Sequence, residues 1–180
     1  MTALLLAAAL AAAPEDALRA LRASLDASAE WTMERTLPGS SRVLVSSGRV
    51  DCRRGEGIVW KVLAPFESSV AMTTNAMVFA DEDGTRTKPL GELPHYAEIR
   101  AKTDAFAAGE ADAFKGLFDL RGERLADGGW KLVLKPEVSA MERLVREIEL
   151  AGAAKLTNVV MRTGDGGRSA IRFRETAREK

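Results

Sequence analysis

Thiol and imidazole groups are nearly absent from this chain of 180 residues, which has one cysteine, Cys52, and one histidine, His95. A single cysteine cannot close an internal disulfide, and one Cys with one His is too little for a tetrahedral zinc site. A Cys–His nucleophile pair would have to join two residues from unrelated sequence contexts. An excess of charge of either sign is missing too, since 26 Lys and Arg balance 26 Asp and Glu. The basic surplus that usually marks a nucleic-acid binder is therefore lacking. With 46% hydrophobic residues and no net charge, the composition is not that of a disordered chain. The longest apolar run, Ala3 to Ala13, is well short of the roughly 20 residues that span a bilayer. The sequence has no low-complexity linker and no long-period repeat, and its length suits one domain.

What is present begins with that apolar run. It has the length of a signal-peptide core and ends in small residues, Ala11-Ala12-Ala13, of the A-x-A type. Residues 1–13 are read as a signal peptide and 14–180 as a single domain. The other reading is an Ala-rich start to the first helix, since Met1-Thr2 supplies no basic residue.

Pro14 to Ala29 has the marks of a helix. Proline suits the first turn, Glu15 and Asp16 sit near the positive end of the dipole, and Leu18, Leu21 and Leu25 form one apolar stripe. From Trp31 the period shifts towards two. Val43 and Val45, then Val50 and Cys52, then Ile58, Trp60 and Val62, then Val70 and Met72, then Met77 to Ala80 read as short strands. Asp81-Glu82-Asp83-Gly84 is a hairpin signal, and Thr85 to Leu90 is the return strand. Leu93 to Phe118 is helical and Ala-rich, with Ile99, Phe106, Phe114 and Phe118 as its large apolar residues. Strands resume over Gly122 to Ala126 and Trp130 to Leu134. Ser139 to Leu150 is ambiguous. Ala154 to Thr163 and Arg168 to Glu175 flank Gly164-Asp165-Gly166-Gly167, a second strong hairpin signal. The layout is α+β: one helix, an antiparallel meander, a helical insertion and a second meander, of the kind that curls into a sandwich or a partly open barrel.

Catalytic and ion-binding signals are weak. Asp81-Glu82-Asp83-Gly84 lacks the remaining ligands of a calcium loop and reads as a charged turn. Gly164-Asp165-Gly166-Gly167 leads into no helix, so it is a turn and not a phosphate cradle. His95 has no Ser, Cys or paired carboxylate placed beside it by sequence. The chain is read as no enzyme and as needing no cofactor or metal. A small enzyme acting on a lipid-like substrate would have to use His95.

The large apolar residues stand out. Trp60, Val62, Val70, Met72, Met77 and Phe79 lie on neighbouring strands, and Phe106, Phe114, Leu117 and Phe118 lie on the insertion. They make either an ordinary core between sheet and helices or a cavity on the concave side of the sheet with the helices as a lid. Met and Phe suit the second, because they adapt to varied apolar ligands.

Residues 47–60, SGRVDCRRGEGIVW, with Pro65 five positions on, resemble the signature of the LolA-like outer-membrane lipoprotein carrier family. There a Gly-led strand ends in Arg-Pro, and the next strand carries aromatic-x-Trp and then Pro. The Trp130 to Pro136 strand and the closing Ile171-x-Phe173 strand follow in the family's order. Gly55 replaces the Pro after Arg54, which marks a divergent branch. The resemblance implies a strongly curved antiparallel sheet, a half-open barrel, with an N-terminal helix and a short helical lid over its concave apolar face. It implies that Leu21 and Leu25 line or close the cavity, that Trp60 is the signature Trp, and that Arg54 latches the lid. It further implies a monomeric periplasmic carrier. Its cargo is an acylated lipoprotein or lipid, its donor an inner-membrane export complex and its acceptor the outer membrane. The alternative is a lipid- or lipoprotein-sensing module of the same fold that regulates a partner protein.

Overall fold

The computed structural model describes residues 15–92, 101–102, 104–105, 110 and 112–176. Helix α1 covers residues 15–24. Eleven strands follow: β1 Ser28–Thr36, β2 Val43–Arg53, β3 Gly57–Ala64, β4 Ser68–Thr73, β5 Ala76–Asp81, β6 Gly84–Pro89, β7 Phe118–Arg124, β8 Trp130–Pro136, β9 Glu147–Gly152, β10 Leu156–Arg162 and β11 Arg168–Glu175. A single helical turn, α2 at Ser139–Glu142, links β8 to β9.

All strands join one antiparallel sheet in the order β6-β5-β4-β3-β2-β1-β11-β10-β9-β8-β7. Each half is a meander of hairpins. The halves are joined by β1 against β11, with Trp31 opposite Phe173 and Met33 opposite Ile171. Strands β6 and β7 are its two ends, so the sheet curves without closing. Register shifts at Ser47/Gly48 against β3 and at Leu156/Asn158 against β9 supply local bends of the kind that β-bulges impose.

Several local expectations need correcting. The predicted helix to Ala29 stops at 24, because Ser28 and Ala29 already pair with Asp51 and Val50 of β2. The two runs around Val43 and Val50 are one strand, as Ser46, Ser47 and Gly48 keep pairing with Met33, Thr32 and Trp31. The ambiguous stretch after Ser139 is one helical turn and then β9. Phe118 is not part of a helical insertion. It opens β7 opposite Pro136, and the described residues 112–117 before it are turns. Most of the predicted lid, including Ile99 and Phe106, lies outside the described residues, as do residues 1–13.

The main core forms where α1 lies on the C-terminal half. Ala17 and Ala20 are buried against Trp130, Leu132 and Leu134 of β8, with Leu21, Phe118, Leu120, Ile148, Leu150 and Leu156 packed around them. Two alanines on the contact stripe let the helix backbone come close to the sheet. Ser24 fixes the last turn: its hydroxyl donates to Ala20 O at 2.9 Å and accepts from the Leu156 N–H at 3.0 Å. Ser24→Ala leaves that amide, at the β9–β10 irregularity, without its acceptor. The expected loss is about 1–2 kcal/mol, read as a fall in Tm of about 3–6 °C.

Candidate functional site

Strand register decides which side chains share a face. Val50, Trp60, Val70 and Phe79 stand opposite one another in a row across β2 to β5, and Cys52, Ile58, Met72 and Met77 form the next row. In the other half Leu120, Leu134 and Ile148 align, and Leu132 aligns with Leu150 and Val159. Both halves thus present apolar side chains to the concave side.

Between that face and α1 lies an apolar cavity of about 470 Å³. The helix and the turn after it contribute Leu18, Leu21 and Leu25. Strands β2 to β4 contribute Val50, Cys52, Ile58, Trp60 and Met72. The second half contributes Leu120, Leu132, Leu134, Leu150, Leu156 and Phe173, and Phe114 enters from the segment before β7. Lys155 and Glu175, an ion pair, stand at its rim.

On one side Trp60 and Phe173 line the cavity, and Trp31 backs Trp60. Trp31 and Trp60 lie face to face, with centroids 4.7 Å apart and planes at 25°. Phe173 meets Trp60 edge-on at 6.1 Å. Trp31 is 2% exposed. Its ring rests over Gly48: a β-carbon there would lie 2.7 Å from Trp31 Cζ2 and 1.8 Å from the carbonyl oxygen of Lys61.

Of the residues singled out from sequence, Leu21, Leu25, Trp60, Met72 and Phe114 line this cavity. Val62, Val70, Met77 and Phe79 share the inner face by register but are not part of its wall. They are half-buried. Phe118 packs beside the β8 core. Phe106 and His95 lie outside the described residues. Sequence reasoning missed Leu18, Val50, Cys52, Ile58, Leu120, Leu132, Leu134, Leu150, Leu156 and Phe173. Their alternation was readable. Their convergence depends on the β1–β11 pairing, which local pattern does not encode.

Arg54 follows β2 in the turn to β3, and its Nη2 donates to the Arg22 carbonyl of α1 at 3.5 Å. A guanidinium beside the last-turn carbonyls also meets the negative end of the helix dipole. Arg54, Arg49 and Arg53, with Asp26, Asp51 and Glu56, line a polar cleft of about 1150 Å³. Cleft and cavity share Ser28, Ala29, Val50 and Cys52, while Arg49, Asp51 and Arg53 alternate with Val50 and Cys52 along β2 and so stand on its other face.

Cys52 borders both spaces. Burial, and then the Asp51 carboxylate beside it, push its thiol from the ordinary 9.0 up to about 11. The thiolate is the reactive form, so alkylation of the native protein at pH 8 is expected about a hundredfold more slowly than for a free thiol. The rate should climb with pH towards 11, and an apolar ligand in the cavity should suppress it. Timed maleimide labelling checks both.

The two acidic turns are structural. Asp81 accepts from the Asp83 N–H at 3.1 Å and pairs with Arg86. Asp165 is held below the usual carboxylate range by the Thr163 hydroxyl and then the Gly167 N–H. Among the described residues no group of three or more His, Cys, Asp or Glu could hold a metal ion, and no helix is long and apolar enough to cross a membrane.

An unclosed antiparallel sheet that holds an apolar cavity beneath an amphipathic helix is a lipid-binding carrier fold. The chain belongs to the family of LolA-like outer membrane lipoprotein carrier proteins, whose model matches residues 7–169. No curated protein sequence matches it. Similar solved structures include a LolA superfamily protein, NE2245 from Nitrosomonas europaea, at 12% identity and TM-score 0.47, covering 96% of this chain and 94% of that one. Another is the MucA/MucB complex of Pseudomonas aeruginosa, at 14% identity and TM-score 0.46, covering 93% of this chain and 59% of that one. LprF from Mycobacterium bovis matches at 13% identity and TM-score 0.40, covering 93% and 94%.

Proposed function

We propose that this protein is a periplasmic carrier. It shelters the acyl part of a lipoprotein or another acylated lipid in its cavity and passes it towards the outer membrane. The observation that carries this reading is the apolar cavity of about 470 Å³, walled by both halves of the sheet and covered by α1. In this reading residues 1–13 are the export signal, the carrier works as a monomer without catalysis, and it receives cargo from an inner-membrane complex. Each buried CH₂ gains about 0.8 kcal/mol, which holds a chain in the cavity but also favours the membrane. Release therefore needs a counterweight. Closure of the empty cavity provides one, because energy recovered on closing lowers net affinity for cargo. Arg54, bonded to the last turn of α1, is the latch in this scheme.

The latch has a directional consequence. Arg54→Leu is expected to raise affinity for an acyl ligand by about three- to tenfold and to slow transfer to acceptor vesicles. Unchanged affinity and transfer would remove Arg54 from the release step.

Photo-crosslinking in vivo from position 72 of the exported protein tests the function itself. Acylated adducts together with transfer to an outer-membrane acceptor support the carrier. Adducts without transfer point to the sensing module. No adduct from folded, exported protein overturns both.

A further inference from the structure

We infer that the end of the sheet away from α1 docks on the surface of an anionic lipid bilayer. The inference rests on the carrier reading and deepens it by naming the surface that the carrier meets. Among the described residues, every large apolar side chain that is well exposed lies towards this end. These side chains sit on the β1–β2 hairpin, in and just before the β3–β4 turn, and around α2. Strand register makes these places one end of the sheet. Thr36 stands opposite both Val43 and Arg168, Arg168 opposite Arg162, and Arg162 opposite Glu147. Helix α1 docks at the other end, where Ser24 meets Leu156 and Asp16 pairs with Arg124.

Three loops pack together there. A β-carbon on Gly164 would lie 2.5 Å from the Glu142 carbonyl oxygen and 2.6 Å from that of Arg143, and one on Gly167 would lie 3.5 Å from Pro38 Cδ. The β10–β11 hairpin therefore touches both the β1–β2 turn and the end of α2. Leu144, just past α2, is 72% exposed, and Leu37, in the β1–β2 turn, is 40% exposed. Arginines accompany both leucines. Arg35 and Arg42 lie on the two arms of the Leu37 hairpin, Arg143 and Arg146 bracket Leu144, and Arg168 opens β11. All five are exposed, and none has a carboxylate within 4 Å among the described residues. The acids at this end are partly engaged. Glu147 pairs with Lys135 and Arg162, and Asp165 accepts from the Thr163 hydroxyl and the Gly167 N–H. Glu34, Glu137 and Glu142 remain, so the cluster keeps a basic surplus. Exposed leucines on turns with free arginines beside them suit an anionic lipid surface. The apolar side chains enter the boundary between headgroups and acyl chains, and the guanidinium groups meet lipid phosphates.

The test uses the exported protein freed of lipid. It is sedimented with vesicles of phosphatidylcholine alone or of phosphatidylcholine mixed with phosphatidylglycerol. Affinity should be at least about tenfold higher for the anionic vesicles and should fall as salt is raised. Arg143→Gln combined with Arg146→Gln should lower that affinity by about thirtyfold. Leu37→Ser combined with Leu144→Ser should lower it by about tenfold or more. None of these four residues lines the cavity. Both variants, folded by circular dichroism, should therefore keep the parent affinity for cis-parinaric acid, read by its fluorescence. No preference of the parent protein for anionic vesicles, or undiminished binding by either variant, would overturn the docking. If parinaric acid is still bound in that case, the carrier reading stands. Binding to membrane vesicles that keep their proteins, without binding to pure lipid, would overturn it in favour of a protein partner. Failure of the folded parent protein to bind parinaric acid would overturn the carrier reading, whatever the vesicles show.

Discussion

Gly48→Ala is expected to destabilise the protein by about 3 kcal/mol or more, although it adds only one methyl group. The new β-carbon would stand 1.8 Å from the Lys61 carbonyl oxygen and 2.7 Å from the Trp31 ring. The first of these atoms is backbone in the neighbouring strand, so it cannot rotate away. Relief requires either β2 and β3 to part at the bulge or Trp31 to leave its place on Trp60, and each loses buried contacts. Gly55→Ala is the control. Gly55 has a φ of +79° but open space around its β-position, so its cost is the left-handed backbone alone, about 1–2 kcal/mol. Urea unfolding of the two variants should rank them clearly, with Gly48→Ala far below Gly55→Ala. Equal midpoints would show that the sheet yields at Gly48.

The second large effect concerns binding. Met72→Glu is expected to reduce affinity for an acyl ligand by about a hundredfold or more while leaving the fold intact. Met72 is half-buried on β4 and lines the cavity, so in the empty protein its carboxylate can still reach water. A chain entering the cavity would strip that water and strand the charge. The penalty has a pH signature. Ligand burial raises the pKa of the new carboxyl, so affinity should recover progressively as pH falls through about 6 towards about 4. Met77→Glu provides the contrast, since Met77 faces Met72 across the hairpin but is not part of the cavity wall. Its effect should stay within about tenfold, and Met72→Leu should be near neutral. A lipid titration at pH 7 and pH 4.5 separates these cases. Equal losses at 72 and 77 would mean that the bound chain extends over the β4–β5 wing.

The sequence made some of this architecture legible and concealed the rest for physical reasons. Alternation in Trp130-x-Leu132-x-Leu134 and Ile58-x-Trp60 marked strands, because period two is a local property of a pleated chain. Asp81 to Gly84 and Gly164 to Gly167 marked hairpins, because their turns are built from their own side chains and glycines. The limit of α1 was hidden, since Ser28 leaves the helical path for a partner, Asp51, 23 residues away. Met77 and Phe79 were grouped with Met72 correctly by face, but which part of a face a helix covers depends on where Ala17 and Ala20 dock. Ile148 and Leu150 could be put on one face of a strand-like run, but not on the cavity wall, which they reach only through the pairing of β9 with β8 and β10.

The meeting of β1 with β11 sets how this chain can fold. Trp31 and Phe173 are 142 positions apart in sequence yet directly opposed in the sheet. Closing so long a loop costs entropy before any contact across the seam repays it, and folds dominated by such distant pairings form slowly. Each meander can assemble from neighbouring hairpins, but until β11 arrives β1 keeps an open edge and Trp60 lacks its Phe173 neighbour. The cavity is therefore the last feature to be completed, and a chain whose first meander has formed still cannot enclose a ligand until β11 is available to pair with β1.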